Sequence, residues 1–210
     1  MTREEILSIA KPILFNTDMV RAILDDRKTV TRRLIKSPYF VDGNEDDPRT
    51  IQVLRTAPKG SQLYKEIGEM PYPRDPYRTG HYIYVRETWA NVNTLACPCY
   101  YYRASEELPD WALGGWKPSI HMPKEAARIF LRVTDVRVER LQAISGYGVL
   151  AEGVDNRKSN PAMGIRWENM QRTLFQDVWN STISKKDMDQ YGWVANPWVW
   201  VIEFERVEVQ

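Results

Sequence analysis

Apolar and polar positions along the chain set out a series of short strands interrupted by two helices. Lys11 to Phe15 is a short apolar run bounded by Asn16 and Thr17, and it predicts a strand over residues 11–15. Thr17 or Asp18 then caps a helix over 18–26, with Met19, Val20, Ile23 and Leu24 on one face. Asp25 and Asp26 oppose the negative end of the helix dipole and end it. After the Thr79-Gly80 turn, residues 82–86 have the β-branched and aromatic content of a strand, and Cys99 to Arg103 predicts another. Arg128 to Arg140 alternates, giving a long strand over 128–139. Arg166 to Trp179 places Trp167, Met170, Leu174 and Val178 on one stripe of a second helix. The Asn196-Pro197 turn opens a last strand over 198–208, where Trp198, Trp200, Ile202 and Phe204 alternate with Val199, Val201, Glu203 and Glu205.

Breakers fill the gaps. Residues 37–77 carry Pro38, Gly43, Pro48, Pro58, Gly60, Pro71, Pro73 and Pro76, an irregular insertion whose length hints at a lid. A second insertion spans 91–124, with Pro109, Gly114, Gly115, Pro118 and Pro123. Several strands, few helices and two insertions predict one α+β domain over 1–210, a mainly antiparallel β-barrel with flanking helices.

Composition narrows the function more than the fold. The chain of 210 residues is 43% hydrophobic and 27% charged, ordinary for a globular protein. It has no apolar run of membrane-spanning length and no signal-peptide core at its start, so a cytoplasmic location without a membrane partner is expected. Cys97 and Cys99 stand too close for an unstrained disulfide, and with His81 and His121 as the only histidines a zinc set is short of ligands; no metal and no cofactor is expected. The net charge of +1 gives no overall case for nucleic-acid binding. Local charge differs: Arg27, Lys28, Arg32 and Arg33 crowd together near Arg21 and Lys36, and an electropositive cleft mouth with salt-sensitive binding follows from them.

Four segments carry a resemblance. Ile23 to Arg33 reads Ile-Leu-Asp-Asp-Arg-Lys-Thr-Val-Thr-Arg-Arg. Gly80 to Trp89 reads Gly-His-Tyr-Ile-Tyr-Val-Arg-Glu-Thr-Trp. Leu141 to Ser145 leads into Ala151-Glu-Gly-Val154, and Asn196 to Phe204 closes the series, with Trp116 to Pro123 as a further match. In this order they resemble the ASCH domain family of the PUA-like superfamily, in its longer phage or prophage form. Asp26 stands where the family has glycine, His81 where it has aspartate, and Val149 where it has alanine.

The resemblance implies a PUA-like pseudo-barrel that handles a nucleoside, RNA or a modified base. Some relatives remove an acyl group from N4-acetylcytidine with a lysine, a threonine and a glutamate, whose positions here are Lys28, Thr31 and Glu152. A threonine hydroxyl needs a neighbouring base to become a nucleophile, and a lysine serves only when burial or nearby cations depress its pKa. Arg27, Arg32 and Arg33 supply such cations, and Glu152 protonates the leaving amine or activates water. If 28–33 were one regular strand, Lys28 and Thr31 would face opposite ways, so joint action needs a turn between them. Arg86 and Glu87 are expected to pair on the cleft floor, Trp89 and Trp116 to stack a base, and His121 to carry a proton or brace its loop. Each residue has a plainer reading: a solvated lysine, a threonine of good β propensity, a charge at a helix end, tryptophans of the core. Three functions therefore stay open: an N4-acylcytidine amidohydrolase, a non-catalytic reader of RNA or modified DNA bases, and a ribonuclease.

Overall fold

A computed structural model describes residues 1–35, 77–93, 98–110, 112, 114–154 and 161–209; the expected lid over 37–77 lies almost wholly outside them, as does Cys97. The fold is mixed α+β with mainly antiparallel pairing, and backbone contacts divide it into two compact units. The first comprises Met1–Thr29, Thr79–Thr134 and Phe204–Gln210, the second Val30–Arg78 and Asp135–Glu203. Among the described residues no helix is long and apolar enough to cross a membrane.

The first unit starts with helix α1 (Arg3–Ile9), opened by a capping box: the Thr2 hydroxyl accepts from the Glu5 amide at 3.2 Å and the Glu5 carboxylate from the Thr2 amide at 2.8 Å. Strand β1 (Lys11–Leu14) runs parallel to β3 (Tyr82–Arg86), which pairs antiparallel with the start of β6 (Phe130–Arg140). Strands β4 (Trp89–Asn93) and β5 (Pro98–Tyr102) form a separate antiparallel ribbon. Ile6, Tyr84, Trp89, Met122 and Phe130 meet in this unit's core.

Helix α2 (Thr17–Leu24) is capped by Asn16, one residue ahead of the expected caps, whose side-chain oxygen accepts from the Met19 amide at 2.9 Å. It ends in a Schellman arrangement, with the Arg27 amide donating to the Ala22 carbonyl at 2.8 Å and the Asp26 amide to Ile23 at 3.1 Å. That closure requires a left-handed residue, and Asp26 has φ 55°. Here glycine is the residue the backbone prefers. Asp26→Gly is expected to raise stability by up to about 1 kcal/mol, offset in part by loss of the exposed Arg206–Asp26 pair. Thermal melts read the difference; a lower melting temperature would contradict it.

The second unit pairs β2 (Val30–Leu34) antiparallel with the front of β7 (Trp198–Val207). Helices α3 (Gly146–Ala151), α4 (Ile165–Ser181) and α5 (Met188–Tyr191) follow the second half of β6. Its core gathers Val30, Val199 and Val201 with Leu141, Ile144, Val149, Phe175 and Trp179. The stripe of α4 is turned one residue from the expected one: Trp167, Gln171, Phe175 and Trp179 are buried, and Met170 is 38% exposed. Gln171, polar yet wholly buried, breaks the apolar period and hides the true face from the sequence.

The sheet order is β1-β3-β6-β7-β2, and among the described residues it stays open rather than closing into the expected barrel. β1 has four residues, and Pro12 within it lacks an amide to donate to a ladder. Residues 198–202 of β7 are buried on both faces, as an inner strand requires, so its polar alternation begins only at Glu203.

Candidate functional site

Lys28, Thr31 and Glu152 are all buried, at 2%, 3% and 6% exposure. Lys28 belongs to the first unit, directly after the α2 cap. Its amide donates to the Ala22 carbonyl at 3.0 Å, and its Nζ stands 5.5 Å from the Phe15 ring centroid, a cation–π contact. β2 begins at Val30, while Lys28 is a separate β-bridge residue two positions ahead of it.

Thr31 and Glu152 belong to the second unit. Thr31 stands opposite Ile202 and shares a face of β2 with Arg33, while Arg32 stands opposite Val201 on the other face. Glu152 is the C-cap of α3, its amide donating to Gly148 at 3.0 Å, and Gly153 at φ 80° supplies the left-handed turn that follows. The glycines that weaken α3 in isolation have a packing purpose. A Cβ on Gly146 would stand 2.5 Å from the Trp167 ring and 2.6 Å from Glu168 Oε2. Gly146→Ala is therefore expected to destabilise by about 1–3 kcal/mol through overpacking. Gly148→Ala, whose nearest contact would be Ile144 at 3.1 Å, should cost less in the same denaturant titration, and equal losses would contradict this.

Arg32 organises the charges around Glu152. Its Nη1 donates to Glu152 Oε1 at 3.1 Å and its Nη2 to Glu139 Oε2 at 3.3 Å, with the guanidinium and the Glu152 carboxylate both buried. Glu139 is held in turn by Arg137 Nε at 2.6 Å. Arg137 also pairs with Asp135 at 3.1 Å and with Glu203. Burial pulls the Arg137 guanidinium down, but its hydrogen bonds to Glu139, Glu203 and Asp135 outweigh this and hold it above its ordinary value. Burial pulls Arg33 below its ordinary value, against the opposing pull of Tyr77 and Glu152. The expected basic cluster is thus not one exposed patch. Arg27 pairs with Asp25 at 3.0 Å, Arg32 is enclosed by two carboxylates, and Arg33 occupies the other strand face.

The first unit holds the remaining candidates, mostly committed elsewhere. Arg86 and Glu87 do not pair, because neighbouring residues in extended chain project to opposite sides. Arg86 donates to the carbonyls of Ile120 and Met122, the latter at 2.9 Å, while Glu87 takes a bidentate pair from Arg128 at 2.9 and 3.0 Å. Trp89 is a core residue against Tyr100 and beneath Lys117, not an open stacking surface. Trp116 is half-buried, and His121 is exposed at the end of a 3₁₀ turn. Cys99 is half-buried in β5.

Glu139, Arg137 and Arg128 were not singled out from the sequence. The signal for the first two was present: Asp135, Arg137 and Glu139 alternate with the buried Val136 and Val138 along β6, a charged strand face. In comparisons with known proteins the chain matches no family model, no curated protein and no solved structure.

Proposed function

We infer that the protein is an amidohydrolase acting on a cytosine nucleoside acylated at its exocyclic nitrogen, with a PUA-like, ASCH-type architecture behind it. One observation carries the reading. Among the described residues six polar or charged side chains are buried, and five of them, Lys28, Thr31, Arg32, Glu87 and Glu152, were selected from the sequence as site residues. Burying such groups opposes folding; Glu87 is accounted for by its Arg128 pair, and the retention of Lys28, Thr31, Arg32 and Glu152 at the expected positions supports a chemical role.

In this mechanism Lys28 takes the proton of the Thr31 hydroxyl, and the oxygen attacks the amide carbonyl. The carbon–nitrogen bond breaks, the proton from Lys28 goes to the departing cytosine nitrogen, and an acyl ester remains on Thr31. Glu152, already an acceptor for Arg32, then takes a proton from water, whose oxygen attacks the ester carbonyl; the ester carbon–oxygen bond breaks, the proton held by Glu152 passes to the departing Thr31 oxygen, and the free carboxylic acid leaves the restored enzyme. The Arg32 pairing suits Glu152 to this acceptor role better than to protonating the leaving amine.

Pairing within the basic cluster weighs against a strand-binding reader or a ribonuclease, since Arg27 and Arg32 are neutralised by nearby carboxylates. The test is release of cytidine from N4-acetylcytidine by purified, folded protein. Turnover well above background supports the reading; none across several acyl groups removes it.

A further inference from the structure

In the first unit a cleft of about 670 Å³ lies between Arg3 of α1, Tyr100 and Tyr102 of β5, and Arg206 and Glu208 near the chain's end, with Glu125 also lining it. Its volume suits a small organic molecule. None of Lys28, Thr31, Arg32 and Glu152 is among its lining residues.

Its wall is fixed before any ligand arrives. The Tyr102 hydroxyl donates to the Ala126 carbonyl at 2.7 Å. The Arg128 guanidinium stacks on the Tyr102 ring at 4.0 Å from its centroid, and is itself gripped by the buried Glu87 carboxylate and by the Ser105 hydroxyl at 2.9 Å. Tyr100 rests on Trp89, with ring centroids 5.9 Å apart. Glu87 and Trp89, both expected to meet a ligand, instead brace the two tyrosines that line this cleft. Burial pushes the Tyr102 hydroxyl up to about 12, so this tyrosine stays neutral near neutral pH.

The charges define the ligand. Of the three lining arginines, Arg128 is taken by Glu87, and Arg206 reaches Asp26 at 3.4 Å. Arg3 donates to the carbonyls of Glu125 and Ala127, the latter at 3.0 Å, and has no carboxylate partner among the described residues. Glu125 and Glu208 likewise have no ion-pair partner there, and carboxylates accept hydrogen bonds from N–H donors. One uncommitted cation beside two carboxylates does not suit a polyanion. It suits a ligand with one negative group, a ring that lies against tyrosine, and an amine that donates to a carboxylate.

We propose that this cleft binds a small, flat, amine-bearing aromatic anion. A nucleoside monophosphate with an amino base and an amino-substituted aromatic acid share this chemistry, and the titration tells them apart.

The experiment is calorimetric titration of the full chain with cytidine monophosphate, uridine monophosphate, cytidine and para-aminobenzoate. Saturable binding of cytidine monophosphate or para-aminobenzoate is expected. If the nucleotide is the ligand, uridine monophosphate and cytidine should each bind about tenfold more weakly, for want of the amine and of the anion. With one cation engaged, affinity should fall modestly as salt is raised, because ions screen the single cation–anion contact. Arg3→Gln, Tyr100→Leu and Glu208→Gln should each weaken binding about tenfold, whereas Thr31→Ala should leave it unchanged. Glu208 is exposed, so its variant keeps the test valid if the Arg3 change disturbs α1. Failure of all four compounds to saturate the protein at millimolar concentration, or wild-type affinity in folded Tyr100→Leu and Glu208→Gln, overturns the proposal.

Discussion

Arg32→Leu is expected to lower stability by about 3–5 kcal/mol, the loss typical of removing one partner from a buried ion pair. The Glu152 side chain is only 5% exposed, so without Arg32 it keeps its desolvation and loses the hydrogen bond and charge that Arg32 brings to it. Glu139 suffers less, because Arg137 still holds it at 2.6 Å and it is 25% exposed. Replacing both partners, Arg32→Leu with Glu152→Leu, should recover most of the loss, since two apolar groups leave no stranded charge. An internal control lies in the first unit: Arg132–Glu205 is also close, at 2.7 Å, but both side chains are about half exposed. Breaking that pair should change stability by no more than about 1 kcal/mol. Urea titrations of these three variants separate the cases, and an Arg32 effect no larger than the Arg132 effect would contradict the burial argument.

Lys28→Ala and Thr31→Ala are each expected to reduce turnover of N4-acetylcytidine by at least about a thousandfold, with the double variant little worse than either. Residues that act as one unit lose their joint effect when any one is removed. Thr31→Ser should keep measurable activity, because a hydroxyl remains where the nucleophile is needed. Lys28→Arg should not, because a guanidinium stays protonated and cannot accept the proton. Additive losses in the double variant, or an active Lys28→Arg, would mean that Lys28 does not act on Thr31.

Much of the scaffold was legible because short-range rules sufficed. The strands at Lys11–Leu14, Tyr82–Arg86, Phe130–Arg140 and Trp198–Val207, and the helices Thr17–Leu24 and Ile165–Ser181, fall within a few residues of their expected bounds. Helix α1 went unread although Thr2 and Glu5 carry the capping-box spacing. α3 contains Gly146 and Gly148, whose low helix propensity is overridden by close packing against Trp167 and Ile144. The basic run from Arg27 to Arg33 misled because composition shows charges but not their partners. Glu139 and Glu152 lie more than a hundred positions along the chain from Arg32, and only the fold brings them to it. Glu87 was expected to pair with its neighbour Arg86, but its partner is Arg128, forty-one positions along the chain. Whether the sheet closes depends on pairing between strands far apart in the chain, which no local pattern reports.

The central claim is that the Thr31 hydroxyl becomes covalently acylated, and its most direct test is the mass of the protein during turnover. Glu152→Gln removes the acceptor that activates water, so the ester should accumulate when this variant is incubated with N4-acetylcytidine. Intact-mass and peptide analysis should then show one acetyl group, carried by Thr31 and absent from the Thr31→Ala, Glu152→Gln double variant. Cytidine release with no adduct, or an acetyl group fixed on another residue, would contradict the account.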